Sequence, residues 1–407
     1  MRSTRRMAVA LLVGSAVAAA ACEGGDEVAV SGKEPVSEAT SPRSADAIPR
    51  AVLLSGGSGF IQAVGAGDFQ VTASVAAGRA RQLFPTYESP FAVAAPDGTV
   101  LYNAVGGDGR PEIRLADLAG DSDQLLVADA YSIAVDGSGR LAYVDSTRRD
   151  PVREGGIVTV RAADGGAPVG WSDGPGRYVV LAWANDTLLV RRARVGDEGG
   201  DLIAFDAPGR MRVIGERTAL LALNDDGRVA FVGVMSGDGS SYEMRLVDVA
   251  SGATLATLDS IAGGPAKPIV SAQWQGDAIV ASGAIERGTV SVILVLTARE
   301  VASQWKIGVE RVAELPADVL VPDEVWLSSD GETAFGIALP PQRSDASGAP
   351  IPSPLRLVHC SLSDGACSVR DLGEMTDTQV GRVRNPTRPV PSSKVFSEAL
   401  SASNSSL

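Results

Sequence analysis

Short apolar runs, each followed by a glycine-containing turn and a second apolar run, recur along most of the chain. In the clearest copy, residues 220–234, Asp226-Gly227 separates two runs that are apolar at nearly every position. Glycine accepts the positive φ that hairpin turns require. Runs that lack strict alternation are typical of strands buried on both faces, although periodicity alone would also fit a buried helix. Because the runs are short and end at turn signals, the pattern predicts β-hairpins.

The hairpin recurs about seven times, at a spacing of roughly 40–50 residues, which is in the range of propeller blades. The first apolar runs of the copies are residues 52–54, 91–94, 133–135, 179–183, 220–223, 271–274 and 325–327. Several copies are followed by a second pair of apolar runs, so that the repeating unit has four strands. The period predicts an all-β fold, a β-propeller of four-stranded antiparallel blades over residues 51–375, most simply with seven blades. A pair of β-sandwiches is the alternative, but it would not require a four-strand period.

Two of the turns carry a family resemblance. Residues 95–98 (Ala-Pro-Asp-Gly) and residues 328–331 (Ser-Ser-Asp-Gly) resemble the Ser-Pro-Asp-Gly turn of the WD40-like, or PD40, repeats found in TolB-type propellers. The resemblance covers residues 51–375 and implies the propeller architecture. It also implies a part in an assembly of the cell envelope, although a fold of this kind does not by itself define a function.

The first residues have the pattern of an export signal. A positive segment with Arg2, Arg5 and Arg6 precedes an apolar run at residues 7–17 and small residues up to Cys22. This order predicts a signal peptide at residues 1–21. The Ala-Ala-Ala-Cys sequence that ends at Cys22 resembles a bacterial lipoprotein signal, which implies a lipidated Cys22 and an extracytoplasmic protein anchored to the cell membrane. An ordinary signal peptide that leaves a free Cys22 is the alternative.

The segments on either side of the repeats lack large apolar residues. Residues 22–50 are rich in Gly, Ser, Glu and Pro, and residues 376–407 contain several Pro and Ser. Such segments cannot bury enough surface to offset the entropy lost on ordering. We therefore expect a flexible tether at residues 22–50 and a disordered tail at residues 376–407.

Cys360 and Cys367 lie in two apolar runs on either side of a Ser-Asp-Gly turn. They would therefore face each other on the last hairpin of the propeller. In an exported protein this arrangement predicts a disulfide.

Composition argues against several classes of function. A formal net charge of −13 excludes a nucleic-acid-binding surface of the usual basic kind. The single histidine, His359, excludes a histidine-rich metal site, although oxygen ligands in the acidic loops leave calcium as an alternative. We expect no cofactor, a monomer and a non-catalytic binding or scaffold module for an envelope protein or ligand. The alternative is a metal-dependent lactonase-like or carbohydrate-active propeller enzyme.

The longer connections between predicted strands are the candidate binding elements, because propellers bind through loops on one face and through the central channel. These connections are residues 146–156, 194–201, 233–242 and 340–354.

Overall fold

The computed structural model describes most of the region from Ala51 to Val380. The described ranges are residues 51–56, 60–65, 71–76, 92–94, 99–117, 122–146, 155–163, 165–193, 200–236, 242–258, 260–261, 264–265, 269–285, 290–322, 324–328, 331–338, 343–344, 350–351, 356–371 and 379–380. The predicted signal peptide, the tether and Cys22 lie outside these ranges. Every paired strand in them is antiparallel to its neighbour, and no helix that could span a lipid bilayer is found there.

Six four-stranded sheets are each built from strands in chain order, and we number them blades 2 to 7. Blade 2 contains β4 (Ala92–Ala94), β5 (Thr99–Val105), β6 (Pro111–Asp117) and β7 (Ser122–Ala128); blade 3 contains β8 (Ala130–Val135), β9 (Leu141–Asp145), β10 (Ile157–Arg161) and β11 (Val169–Gly170); blade 4 contains β12 (Tyr178–Ala184), β13 (Thr187–Arg192), β14 (Asp201–Ala207) and β15 (Arg210–Gly215).

The later blades follow the same plan, with two small additions. Blade 5 contains β16 (Thr218–Leu223), β17 (Val229–Met235), β18 (Tyr242–Asp248) and β19 (Thr254–Leu258); blade 6 contains β22 (Ile269–Gln275), β23 (Ala278–Ile285), β24 (Val290–Val301) and β25 (Gln304–Glu314); blade 7 contains β26 (Glu324–Leu327), β27 (Thr333–Ala338), β30 (Arg356–Ser361) and β31 (Cys367–Asp371). Two-stranded ribbons join β20 (Ser260–Ile261) to β21 (Gly264–Pro265) and β28 (Arg343–Ser344) to β29 (Pro350–Ile351).

Blade 1 draws its strands from both ends of the folded region. Its order is β3 (Val71–Ala76), β2 (Phe60–Gly65), β1 (Ala51–Gly56) and β32 (Gln379–Val380). The position next to β1, which the first strand occupies in the other blades, is thus filled by β32 from the C-terminal side.

Blade 1 corrects two predictions from the sequence. The hairpin at residues 52–61 is the second and third strand of its blade, and residues 379–380 belong to the fold and not to a tail. The rest of the predicted tail lies outside the described residues.

Neighbouring blades share their apolar cores, which is the arrangement expected of a propeller. Within β17, Phe231 packs into a cluster shared by blades 5 and 6, whereas the next residue, Val232, packs into one shared by blades 4 and 5. Alternate side chains of one strand thus enter different interfaces, which explains why the predicted strands are apolar at successive positions. The inner strands β8 and β12 contact each other, as do β16 and β22. The prediction of a β-propeller with four-stranded blades is confirmed, and it rests on this order of sheets.

The predicted disulfide is present. Cys360 and Cys367 are register partners on β30 and β31, with their Cα atoms 4.1 Å apart. Cys360 is buried in the core between blades 6 and 7. The bridge therefore fixes the outer hairpin of the last blade, next to the position where the ring closes.

The Asp-Gly turns between first and second strands do more than reverse the chain. In blade 3, Arg140 lies with its guanidinium 4.4 Å from the ring centre of Trp183 in blade 4 and donates to Asp186 at 2.9 Å. Asn185 in turn donates to the carbonyl of Asp226 in blade 5 at 2.7 Å. Successive turns are thereby linked around part of the ring, a function that the sequence pattern does not reveal.

Gly227 is the tightest point of this chain of contacts. It has a φ of 68°, and a Cβ atom added to it would lie 3.0 Å from the Cα of Ala184 in the neighbouring blade. Gly331 occupies the equivalent turn of blade 7 with a φ of 72°, but an added Cβ would meet no atom of the described residues within 4 Å. Substitution of Gly331 therefore measures the cost of the backbone conformation alone, whereas substitution of Gly227 adds the cost of crowding between blades.

We predict that Gly227→Ala lowers the free energy of unfolding by about 2–4 kcal/mol, whereas Gly331→Ala costs about 1–2 kcal/mol because only the left-handed backbone is penalised. Urea unfolding followed by tryptophan fluorescence measures both values. Equal losses in the two variants would contradict the close approach of blades 4 and 5.

Candidate binding face at the long loops

All the longer connections leave the ring on one side. Residues 146–156, 194–201, 233–242 and 340–354 each include the connection between the second and third strand of a blade. Because strands alternate in direction within an antiparallel sheet, these connections share one face, which we call the loop face. The tight turns between first and second strands share the opposite face, which we call the turn face. Much of each long connection lies outside the described residues, but the strand ends that carry them are defined.

A repeated backbone contact forms the inner edge of the loop face. The residue just before the first strand of a blade accepts a hydrogen bond from the amide at or just after the end of the second strand. The pairs are Ser146 to Asp129 at 2.6 Å, Ala193 to Arg177 at 2.8 Å and Met235 to Arg217 at 3.0 Å. Blades 3, 4 and 5 therefore place an acidic residue and two arginines at equivalent positions around the mouth of the channel.

The charged groups of this edge are largely arranged in pairs. Arg110 donates to both carboxylate oxygens of Asp129 at 3.1 Å, which connects blade 2 to the start of blade 3. Arg192 bonds Asp201, which is completely buried, at 2.9 Å. Pairs of this kind position loop ends and define the polarity of the surface, and a buried pair is costly to break from one side.

Asp145 lies next to this edge at the end of β9, opposite Ala130. Its pKa is raised above the ordinary value, first because the carboxyl group is partly buried and second because Asp129 lies nearby. A carboxyl group with a raised pKa binds its proton more tightly in the folded state. It therefore favours folding at acid pH, and this contribution is lost as the pH rises through its folded pKa.

We predict that the free energy of unfolding of Asp145→Asn increases relative to that of the natural protein as the pH rises from 4 to 7. The reason is that asparagine does not ionise, whereas ionisation of Asp145 destabilises the folded natural protein. Urea unfolding at a series of pH values measures the difference. Asp277→Asn, at an exposed aspartate of blade 6, is the matched control and should show a smaller change. A constant difference between Asp145→Asn and the natural sequence across this range would contradict the role assigned to Asp145.

The inner strands that line the channel carry a repeated β-bulge. One extra residue interrupts the register in the first strand of four consecutive blades: Ser132, Leu181, Leu221 and Val270. Ser132 has a φ of 58° and uses its hydroxyl group to accept from the amide of Val180 at 2.7 Å and to donate to its carbonyl at 3.0 Å. Its own amide donates to Asn103 at 2.9 Å. One residue, through its hydroxyl group and its backbone amide, thus ties blades 2, 3 and 4 together beside the channel.

The side chains considered for chemistry in the sequence are not brought together into a reactive group. His359 stacks on Phe335, which stacks on Trp326, so that the three rings form a row across blade 7. The hydroxyl oxygen of Ser368 lies 3.5 Å from Nδ1 of His359. Among the described residues, no group of three His, Cys, Asp or Glu side chains could hold a metal ion. Cys22, the predicted lipidation site, lies outside them.

Comparisons with known proteins find only distant structural similarity. No protein-family model matches the chain, and no curated protein matches it. TolB from Acinetobacter baumannii is similar at 13% identity and a TM-score of 0.39, over 65% of this chain and 66% of that chain. The β-propeller domain of the Trilobed protease from Pyrococcus furiosus is similar at 11% identity and a TM-score of 0.47, over 78% of this chain and 88% of that chain.

A peptidase is found at a comparable level. The acylaminoacyl peptidase of Pyrococcus horikoshii is similar at 13% identity and a TM-score of 0.47, over 78% of this chain but only 48% of that chain. The structures similar to this chain thus include both TolB, whose repeat turns it resembles, and proteins named as peptidases or proteases. At these identities and TM-scores the similarity assigns no function, and the fold rests on the order of the sheets.

Proposed function

We propose that the protein is an exported, non-catalytic binding module that is anchored to the cell membrane through a lipidated Cys22 and binds an envelope protein or ligand through its loop face. The observation that carries this proposal is the separation of the two faces. The long connections of four blades leave on the loop face, whereas β1, which follows the N-terminal segment, begins at Ala51 on the turn face. The first strand of the ring and the long connections thus belong to opposite faces.

The chemistry of the described residues supports binding more than catalysis. Arg110 and Asp129 form an exposed ion pair with two contacts, and Arg192 forms an ion pair with the buried Asp201. The exposed pair offers directional contacts to a protein partner, and charges of this kind favour specificity and rapid association over raw affinity. The contact between the Ser368 hydroxyl group and the His359 ring is 3.5 Å long and exposed, whereas the nucleophile and base of a hydrolase-type enzyme lie within about 2.6–3.2 Å of each other.

The test uses photo-cross-linking in intact cells that express the full chain. A photoreactive amino acid is placed at Asp108 or Tyr242, two exposed positions on the loop face, and at Asp186 or Asp226, two exposed positions on the turn face. We expect one specific adduct, identified by mass spectrometry, from the loop-face positions only. Adducts from the turn face alone, or none from either face, would contradict binding through the loop face.

The membrane anchor is tested in the same cells. Mass analysis of the N-terminal peptide should show a diacylglycerol on Cys22, and Cys22→Ser should move the protein and its adduct out of the membrane fraction. Single-chain lipid modification binds membranes only marginally, whereas two chains hold firmly. An unmodified Cys22 in a membrane-bound protein would contradict the anchor without affecting the assignment of the loop face.

A further inference from the structure

The outer hairpin of blade 6 departs from the other blades. In β24, residues 290–297 pair with β23 and residues 292–301 pair with β25, so that residues 298–301 have register partners only in β25 among the described residues. A two-residue turn with φ values of 51° at Ala302 and 62° at Ser303 closes the hairpin, as in a type I′ turn. The hairpin therefore projects beyond its sheet on the turn face.

Strand β25 is the outermost strand of this sheet, and it is long. It has 11 residues, whereas the last strands of the other blades have between 2 and 7. In the described part of the chain no strand pairs with its outer side. Gln304, Lys306, Gly308 and Glu310 are exposed along it. A long open edge offers unpaired backbone donors and acceptors to another strand.

The sequence of this edge is complementary to itself. Reading outward from Gly308, Ile307 corresponds to Val309 and Lys306 to Glu310. If the strand pairs antiparallel with its own copy about Gly308, Ile307 meets Val309 and Lys306 meets Glu310, and at the next position Trp305 meets Arg311. Opposite charges across strands stabilise a pair, and like charges destabilise it.

The structure around Gly308 fits this arrangement. Gly308 is the register partner of Thr297, and a Cβ atom added to Gly308 would meet no atom within 4 Å in the part of the chain that the structure describes. Glu310 is the extra residue of a β-bulge, and its carboxylate accepts from the Thr297 hydroxyl group at 2.9 Å. The bulge thus directs the carboxylate to the face that Thr297 and Gly308 share, beside the position that the lysine of a second copy would reach.

The outer strand of blade 4 shows that this complementarity is not a general property of the edges. Strand β15 exposes Arg210 and Met211, and Arg212 follows them. Antiparallel pairing about Met211 would place arginine opposite arginine. A lysine and a bulge on an edge strand often prevent it from pairing with another strand. In β25, however, the lysine would lie opposite the glutamate of a second copy, and these opposite charges attract.

We propose that β25 is the interface of a homodimer, in which two copies pair antiparallel through this strand about a two-fold axis at Gly308. A symmetric interface of this kind requires a surface that is complementary to itself. The ladder is short and buries less than the roughly 1,200–2,000 Å² of a standard interface, so the dimer is weak and forms with increasing concentration. It replaces the monomer expected from the sequence, and it does not depend on the proposed function.

The first experiment uses Gly308→Cys in the full chain with Cys22→Ser, so that one free thiol remains beside the native disulfide. Residues opposite each other in an antiparallel ladder have Cα atoms about 4.5–5.5 Å apart, which suits a disulfide. We expect mild oxidation to give a covalent dimer. Lys306→Cys in the same background is the control, because the two cysteines would lie about 13 Å apart along the strands. Absence of the Gly308→Cys dimer, or equal cross-linking of both variants, would overturn the proposal.

The second experiment exchanges the charges and measures self-association by sedimentation. We expect Lys306→Glu and Glu310→Lys each to raise the dissociation constant of the dimer about tenfold or more, because opposite charges become like charges. The double variant restores the opposite pairs and should return the constant to within about threefold of the natural value. A natural protein that remains monomeric up to its solubility limit, or a double variant as weak as the single ones, would show that Lys306 and the bulge protect the edge instead.

Discussion

Burial of both faces of a sheet, which the described side chains of blades 2 to 7 show, is the constraint on which the rest of the structure depends. Phe231 and Val232 are neighbours in one strand, yet each packs against a different adjacent blade. A strand of this kind loses roughly 1.5–3 kcal/mol for each large apolar side chain left in water. A row of such sheets is therefore stable only if its first and last members also meet a neighbour, which a closed ring provides.

Closure depends on a strand taken from the far end of the folded region. Gln379 and Val380 pair with Ser55 and Leu54, so that blade 1 joins the C-terminal segment to the N-terminal strands. The disulfide between Cys360 and Cys367 fixes the preceding blade. The links between turns from Arg140 to Asp186 and from Asn185 to Asp226 hold neighbouring blades at a constant spacing. The disulfide and the links between turns lie toward the turn face, and they leave the unequal loops of the other face to vary.

Local signals made most of the fold predictable. Asp226-Gly227 between two short apolar runs defines a hairpin without any knowledge of its neighbours, and repetition of the hairpin defines the blade. Closure by β32 gave no such signal, because two residues in a polar segment become a strand only through a partner far away in the chain. The hairpin of blade 6 was missed for another reason: its turn, Ala302-Ser303, has none of the glycine or asparagine that marks a type I′ turn. The bulge at Ser132 could not be predicted either, because it depends on contacts with two other blades.

The candidate binding face was only partly predictable. Its long connections follow from the spacing of the repeats, but their common side follows from strand order, which the sequence does not state directly. The equivalence of Asp129, Arg177 and Arg217 at the channel mouth could not be predicted, because it arises from one backbone hydrogen bond repeated in three blades. Charges at such positions become a surface only when the ring brings the blades together.

The most direct measurement compares two truncated chains, one that ends at residue 375 and one that ends at residue 385. Only the shorter chain lacks Gln379 and Val380. We predict that its free energy of unfolding falls and that its urea transition broadens, because blade 1 loses its inner strand, whereas the longer chain unfolds like the full protein. Identical transitions for the two truncated chains would contradict closure of the ring by β32.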